Sequence, residues 1–328
     1  MEEYFPINTL YIEVTHACNQ SCKHCYLGCG PHRTIEEMST EQVLTCIRYF
    51  KEQGGRYIII TGGEPIIRKD IFIILDYIEE LAIPFTFASN GLAMTNERLT
   101  KLSGYKFLEL YFTSILGVNA TNHRFITTKD SYNKSLNAIS FFSEKGISVY
   151  VQVTLANDYL DDMEQIADNL ITYQNCTIKF TPISSFGIKN EPSEGINQKL
   201  LVKGDRINHF MKLLDKIQKK YPDRIENSNF QSLAQIKQER TAYENTKLHS
   251  LSYGFIAIRP NGDISFSVEM NNPYTFGKAY DSLKVPIDEV LLSYIDELRT
   301  VESIIFNETA KVFVEWDAEI DKYLAERR

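Results

Sequence analysis

Short apolar runs alternate with longer stretches of helical period through the first half of the chain. Leu10-Tyr11-Ile12-Glu13-Val14 predicts a first strand. Val43, Leu44, Ile47 and Phe50 recur at helical spacing between about Thr40 and Gln53, and Gly54-Gly55 stops that helix. Tyr57 to Thr61 is a continuous apolar run, as expected of a strand covered on both faces. Asp70 can cap a helix that runs to about Leu81 and stops at Pro84. Strands are predicted over Phe85 to Ala88, Phe107 to Thr113, Ile147 to Leu155 and Thr177 to Ile183. Helices are predicted over Asn96 to Ser103, Ser131 to Lys145 and Asp161 to Leu170. Six strands alternating with helices imply parallel β/α units with right-handed crossovers. A closed eight-unit barrel takes about 250 residues, so a partial, open barrel fits better.

After Gly187 the pattern changes. Lys189 to Lys199 is polar and reads as a linker. Asp205 to Lys220 is a helix with Ile207, Phe210, Met211, Leu214 and Ile217 on one face. Phe255 to Ile258 and Ile264 to Val268 form two strands around an Asn261-Gly262 turn. Helices near Pro286 to Thr300 and Val314 to Arg327 close the chain. The predicted division is therefore residues 1–188, a barrel, and 189–328, a smaller α+β extension.

Composition narrows the functional classes. The 328 residues carry a formal net charge of −8, which argues against a broad grip on nucleic acid or anionic lipid. No secretory signal opens the sequence, and no apolar run approaches the ~20 residues that span a bilayer. A cytoplasmic protein is expected, and its six cysteines then suit metal binding or chemistry better than a disulfide framework.

The sharpest signal is Cys18-x3-Cys22-x2-Cys25, directly after the first strand. Three thiolates on one short loop can converge on a single centre. An iron–sulfur cube, a zinc site and a chance grouping all remain open on spacing alone. A fourth ligand, if one exists, would come from Cys29, His24, His32 or His16. Cys46 sits at a core-facing helical position and reads as a small hydrophobe.

With Gly62-Gly63-Glu64-Pro65 following the second strand, these cysteines resemble the radical SAM enzymes. The resemblance covers about Ile7 to Gly187 and implies a partial (β/α)6 barrel. It implies one 4Fe–4S cluster on Cys18, Cys22 and Cys25, with S-adenosylmethionine on the open iron. Tyr26 stands where the family carries an aromatic residue. Gly62 and Gly63 would let backbone approach the methionine amino group, with Glu64 adding charge and Pro65 completing the motif. Ser89-Asn90, Ser114 and Gln152, on the third, fourth and fifth strands, would be further cofactor contacts. In place of the family's Ser-Leu-Asp-Gly, this chain has Leu116 at the Asp position. Its His123-Arg124 leaves the carboxylate-binding arginine unassigned, with Arg124 as a substitute.

The C-terminal third resembles a SPASM extension around Ile258 to Ile264 and Phe276-Gly277-Lys278. Ser252 and Ser267 stand where cluster cysteines would align, and no cysteine follows Cys176. A cap without auxiliary clusters is expected. The SPASM-like layout implies epimerisation or crosslinking of a ribosomal peptide, with an electron donor such as flavodoxin or ferredoxin. A separate leader-peptide-binding protein is expected, since no segment before the first strand can serve. A sugar or nucleoside substrate is the alternative, and a non-catalytic metal-binding or regulatory protein is the alternative of another class. No catalytic side chain and no hydrogen donor are assigned.

Overall fold

A computed structural model of the chain describes residues 8–25, 27–31, 36–127, 129–183, 200–227, 255–265, 279 and 322–326. Six strands run parallel in sequence order, as the alternation predicts: β1 (Thr9–Glu13), β2 (Tyr57–Thr61), β3 (Phe85–Ala88), β4 (Leu108–Ile115), β5 (Ser148–Leu155) and β6 (Cys176–Pro182). The helices are α1 (Thr40–Glu52), α2 (Ile71–Glu80), α3 (Asn96–Ser103), α4 (Ala120–Thr127), α5 (Tyr132–Glu144), α6 (Met163–Leu170) and α7 (Asp205–Lys220). The sheet does not stop at six strands. β7 (Phe255–Ile258) pairs parallel with β1, and β8 (Ile264–Ser265) pairs antiparallel with β7. The strand order is β6-β5-β4-β3-β2-β1-β7-β8, so the C-terminal hairpin continues the sheet of the barrel.

Period-two burial separates the faces of the sheet. Leu10, Ile12, Ile58, Ile60, Phe85, Phe87, Val149, Val151, Ile178 and Phe180 are fully buried in one core with the helices. Burying each such side chain contributes about 1.5–3 kcal/mol. The alternate residues, among them Tyr11, Ile59, Phe112, Ser114, Gln152 and Lys179, are only partly buried and face the inside of the open barrel. Helix α1 shows how sequence sets the outer layer. The Ser39 hydroxyl accepts the Gln42 N–H at 3.2 Å, and Gln42 Oε1 accepts the Ser39 N–H at 2.8 Å. Val43, Cys46, Ile47 and Phe50 form its buried stripe, so Cys46 is a core residue.

Three local expectations change. Strand β4 runs to Ile115, because pairing with β5 continues through Ser114 and Ile115. Helix α4 was not predicted. Its buried face is His123, Ile126 and Thr127, helical in spacing but too polar to register as an apolar stripe. Asp70 occupies the N-cap of α2 but makes no side-chain cap bond. Its carboxylate is taken instead by Arg68, at 2.8 and 2.9 Å, and by the Thr40 hydroxyl at 2.5 Å. Several expected features lie outside the described residues: the linker 189–199, Ser252, Ser267, Phe276 to Lys278 and most of the last two helices. No helix among the described residues is long and apolar enough to cross a membrane.

Arg68 also donates to the carbonyls of Val14 at 2.5 Å and Met38 at 2.9 Å. One guanidinium thus fixes the exit of β1, the entry to α1 and the start of α2. Removing it strands two carbonyls and a carboxylate. Arg68→Ala is expected to lower stability by about 2–4 kcal/mol in urea unfolding. Arg68→Lys recovers only part of the loss, since an ammonium lacks the planar fork.

Candidate active site

The loop after β1 carries the cysteines and is zipped to the turn after β2. Val14 N–H donates to the Thr61 carbonyl (3.0 Å), Gly63 N–H to Thr15 (2.7 Å) and Glu64 N–H to Ala17 (2.9 Å). The approach leaves no room for side chains. A Cβ at Gly62 would stand 2.4 Å from the Thr15 carbonyl oxygen, and one at Gly63 2.3 Å from that of Ala17. Gly62 also has φ +131°, a conformation that L residues rarely adopt. The glycines therefore dock the cysteine loop, a cause beside the ligand approach that the resemblance implies.

On that loop, Cys18 Sγ accepts the Gln20 N–H at 3.4 Å and the Asn90 side-chain amide at 3.6 Å. Cys25 Sγ accepts the Cys29 N–H at 3.4 Å. Burial pushes the Cys18 thiol up to about 11 and raises Cys22 as well. Cys25 is held below the usual thiol range, first by the Cys29 thiol that donates to it and then by nearby backbone N–H groups. Cys29, one of the candidate fourth ligands, thus joins the cysteine loop. Among the described residues no three His, Cys, Asp or Glu side chains stand as a ready-made metal cage. The donor set nonetheless fits an iron–sulfur cluster: three thiols on one short loop, two of them already receiving N–H groups that stabilise a thiolate.

Glu64, Pro65, Ser89 and Asn90 stand beside this loop, in the turns that follow β2 and β3. Glu64 is fully buried. Its oxygens accept the Asn90 N–H at 2.7 Å and the Ile66 N–H at 3.3 Å, tying the β2 turn to the β3 turn. Burial raises its pKa to about 7. Pro65 is buried and opens a 3-10 turn over Pro65–Ile67. The Ser89 hydroxyl accepts the Gly91 N–H at 3.1 Å. Asn90 Nδ2 donates to Asn19 Oδ1 at 2.8 Å besides touching Cys18. Tyr26 lies outside the described residues, as does His32.

Ser114 and Gln152 are directly opposite each other on β4 and β5, and Lys179 on β6 is opposite Gln152. All three are partly buried on the inner face. Arg124 is exposed on α4 rather than in this row.

Two networks brace the loop, and both escaped the sequence. Gln20 is buried, and its amide donates to the Ser131 hydroxyl at 2.9 Å. His123 Nδ1 accepts the Leu116 N–H at 3.1 Å, so Nε2 of the neutral ring carries the proton and donates to Ser131 at 2.7 Å. Burial holds His123 down to about 4, so it stays neutral at physiological pH. Burial also lowers His24 to about 4, and its Nδ1 has no hydrogen-bond partner. On the other side, buried Glu13 meets His16 Nε2 at 3.3 Å and Arg259 of the C-terminal hairpin. The Met38 N–H donates to the Pro260 carbonyl at 2.7 Å. The only sequence signal for these contacts was a buried-type glutamate within an otherwise apolar strand.

Residues 12–170 match the radical SAM superfamily model. This part of the chain belongs to the radical SAM superfamily. An AdoMet-dependent heme synthase from Oleidesulfovibrio alaskensis is 28% identical over 164 residues, 48% of this chain and 42% of that protein. The mycofactocin maturase MftC of Mycolicibacterium smegmatis is 27% identical over 176 residues, 53% of this chain and 44% of that protein. The chain thus spans under half the length of these curated relatives. The crystal structure of Streptococcus suis SuiB bound to S-adenosylmethionine superposes with a TM-score of 0.67 at 17% identity, covering 86% of this chain and 65% of SuiB. SuiB has also been solved with its precursor peptide SuiA. Members of the superfamily use a 4Fe–4S cluster and S-adenosylmethionine.

Glu64 makes a pH prediction. Its folded-state pKa of about 7 lies above the ordinary 4.5, so folding favours the protonated form. Its contribution to stability is full below pH 4.5 and is lost as pH rises through about 7. The stability difference between wild type and Glu64→Gln, measured by urea unfolding of cluster-free protein, is expected to fall over that window. It then levels off. A difference independent of pH would contradict the assignment.

Proposed function

We propose that this protein is a radical SAM enzyme of the cytoplasm that modifies a ribosomally made peptide. The observation that carries the reading is the three-cysteine loop docked on the Gly62-Gly63 turn at the C-terminal ends of parallel strands, where barrel enzymes build their sites. Cys18, Cys22 and Cys25 would hold the 4Fe–4S cluster. Bound there, the cluster supplies the electron that splits S-adenosylmethionine into methionine and a 5′-deoxyadenosyl radical, which abstracts hydrogen from a substrate carbon.

The chain's own residues position and shield that chemistry. The N–H groups of Gln20 and Cys29 and the Asn90 amide stabilise charge on the sulfurs. Glu64 locks the β2 and β3 turns together, so the Ser89-Asn90 segment keeps its place beside Cys18. The Ser114 hydroxyl and the Gln152 amide make no hydrogen bond among the described residues, leaving both available to S-adenosylmethionine. Electrons would come from a flavodoxin or ferredoxin. The C-terminal region, whose hairpin clamps Glu13, would act as a SPASM-like cap.

Similarity to the mycofactocin maturase MftC, and to the fold of SuiB, which has been solved with a precursor peptide, supports the peptide substrate. A separate leader-peptide-binding protein would accompany it. Comparable similarity to a heme synthase favours a small molecule as the second reading. A short precursor peptide encoded beside this protein would separate the two.

Anaerobic reconstitution tests the central claim. About four irons per chain are expected. With dithionite and S-adenosylmethionine, 5′-deoxyadenosine is expected from wild type and not from Cys22→Ala. A protein that binds zinc and no iron, and leaves S-adenosylmethionine intact, would overturn the enzyme reading.

A further inference from the structure

Among the described residues the inner face of the barrel carries charge at few places, and the carboxylates there already have partners. Glu13 is matched by Arg259 and contacted by His16. Glu226, beside the edge of β6, accepts the Tyr150 hydroxyl at 2.6 Å. Lys179 is different. It points inward from the middle of β6, since Ile178 and Phe180 on either side are fully buried among the helices. It is partly buried and makes no hydrogen bond or ion pair among the described residues. A partly buried lysine with no ion pair among the described residues would be stabilised by an anion beside it.

Its place in the row indicates whose anion. Ser114, Gln152 and Lys179 lie opposite one another on β4, β5 and β6. Adjacent strands are about 4.8 Å apart. The cysteine loop follows β1, and in strand order Lys179 on β6 is the member of the row furthest from it. By the family resemblance, Ser114 is the member of the row that would receive the methionyl carboxylate of the cofactor. In a chain of net charge −8, an anionic substrate also needs a local cation to enter.

We propose that Lys179 is a specificity residue that receives a carboxylate of the substrate, supplied by an acidic side chain or the C-terminus of a peptide. The inference rests on the radical SAM reading.

The test uses the full reconstituted chain with lysines 13C-dimethylated, which keeps their charge. The Lys179 signal is assigned by its absence in Lys179→Arg. N-acetyl-aspartate N-methylamide is titrated in the presence of S-adenosylmethionine, and its asparagine counterpart serves as the neutral control. The aspartate probe is expected to shift the signal, with the asparagine probe about ten-fold weaker. Lys179→Gln is expected to retain its iron and its S-adenosylmethionine binding in equilibrium dialysis. A shift produced by S-adenosylmethionine alone, with weakened cofactor binding in Lys179→Gln, would give the lysine to the cofactor carboxylate and overturn the proposal. Equal shifts from both probes, or none from either, would also overturn it. Wild type that binds neither iron nor S-adenosylmethionine would instead fail the underlying reading, a result distinct from the others.

Discussion

Everything at the mouth of this barrel depends on one close approach of backbone to backbone. The turn after β2 lies against the loop after β1 with carbonyl oxygens where side chains would begin. Three N–H donations along that seam extend the parallel pairing of β1 and β2 beyond the strands. A flexible eight-residue cysteine segment thereby inherits the rigidity of the sheet. Ordering such a loop costs conformational entropy, and the seam offsets that cost before any cofactor arrives.

The loop is gripped from two further directions by groups distant in sequence. Gln20 reaches Ser131, which also receives the His123 proton, so α4 and α5 hold one flank. Glu13 and Arg259 hold the other, through a hairpin that enters the sheet beside β1. Burying a charge pair at that seam is costly unless both partners are present. The C-terminal hairpin is therefore part of the site's support.

The chemistry of the mouth is graded along the sheet. Sulfur and its N–H donors follow β1, neutral polar groups stand on β4 and β5, and on β6 stands an ammonium without an ion pair among the described residues. Such a layout suits a cofactor chelated at one end and a substrate recognised at the other. Binding energy from the far end can then position the reacting carbon without altering the metal environment.

The sequence by itself determined the alternation of strands and helices and the three-cysteine loop. Both are local facts, carried by hydrophobic period and by residues within one turn of chain. It also marked Gly62 and Gly63, because only glycine tolerates that backbone and that proximity. The reason they are glycines, the carbonyls of Thr15 and Ala17, came only with tertiary structure. So did α4, whose buried histidine is satisfied by Ser131 and Leu116 and whose buried threonine donates to the His123 and Lys129 carbonyls. The pairing of β7 with β1 was equally invisible. A four-residue apolar strand is compatible with many partners, and only the packed sheet selects one. The row from Ser114 to Lys179 joins residues 65 positions apart. Register sets such rows, and register is a property of the assembled sheet.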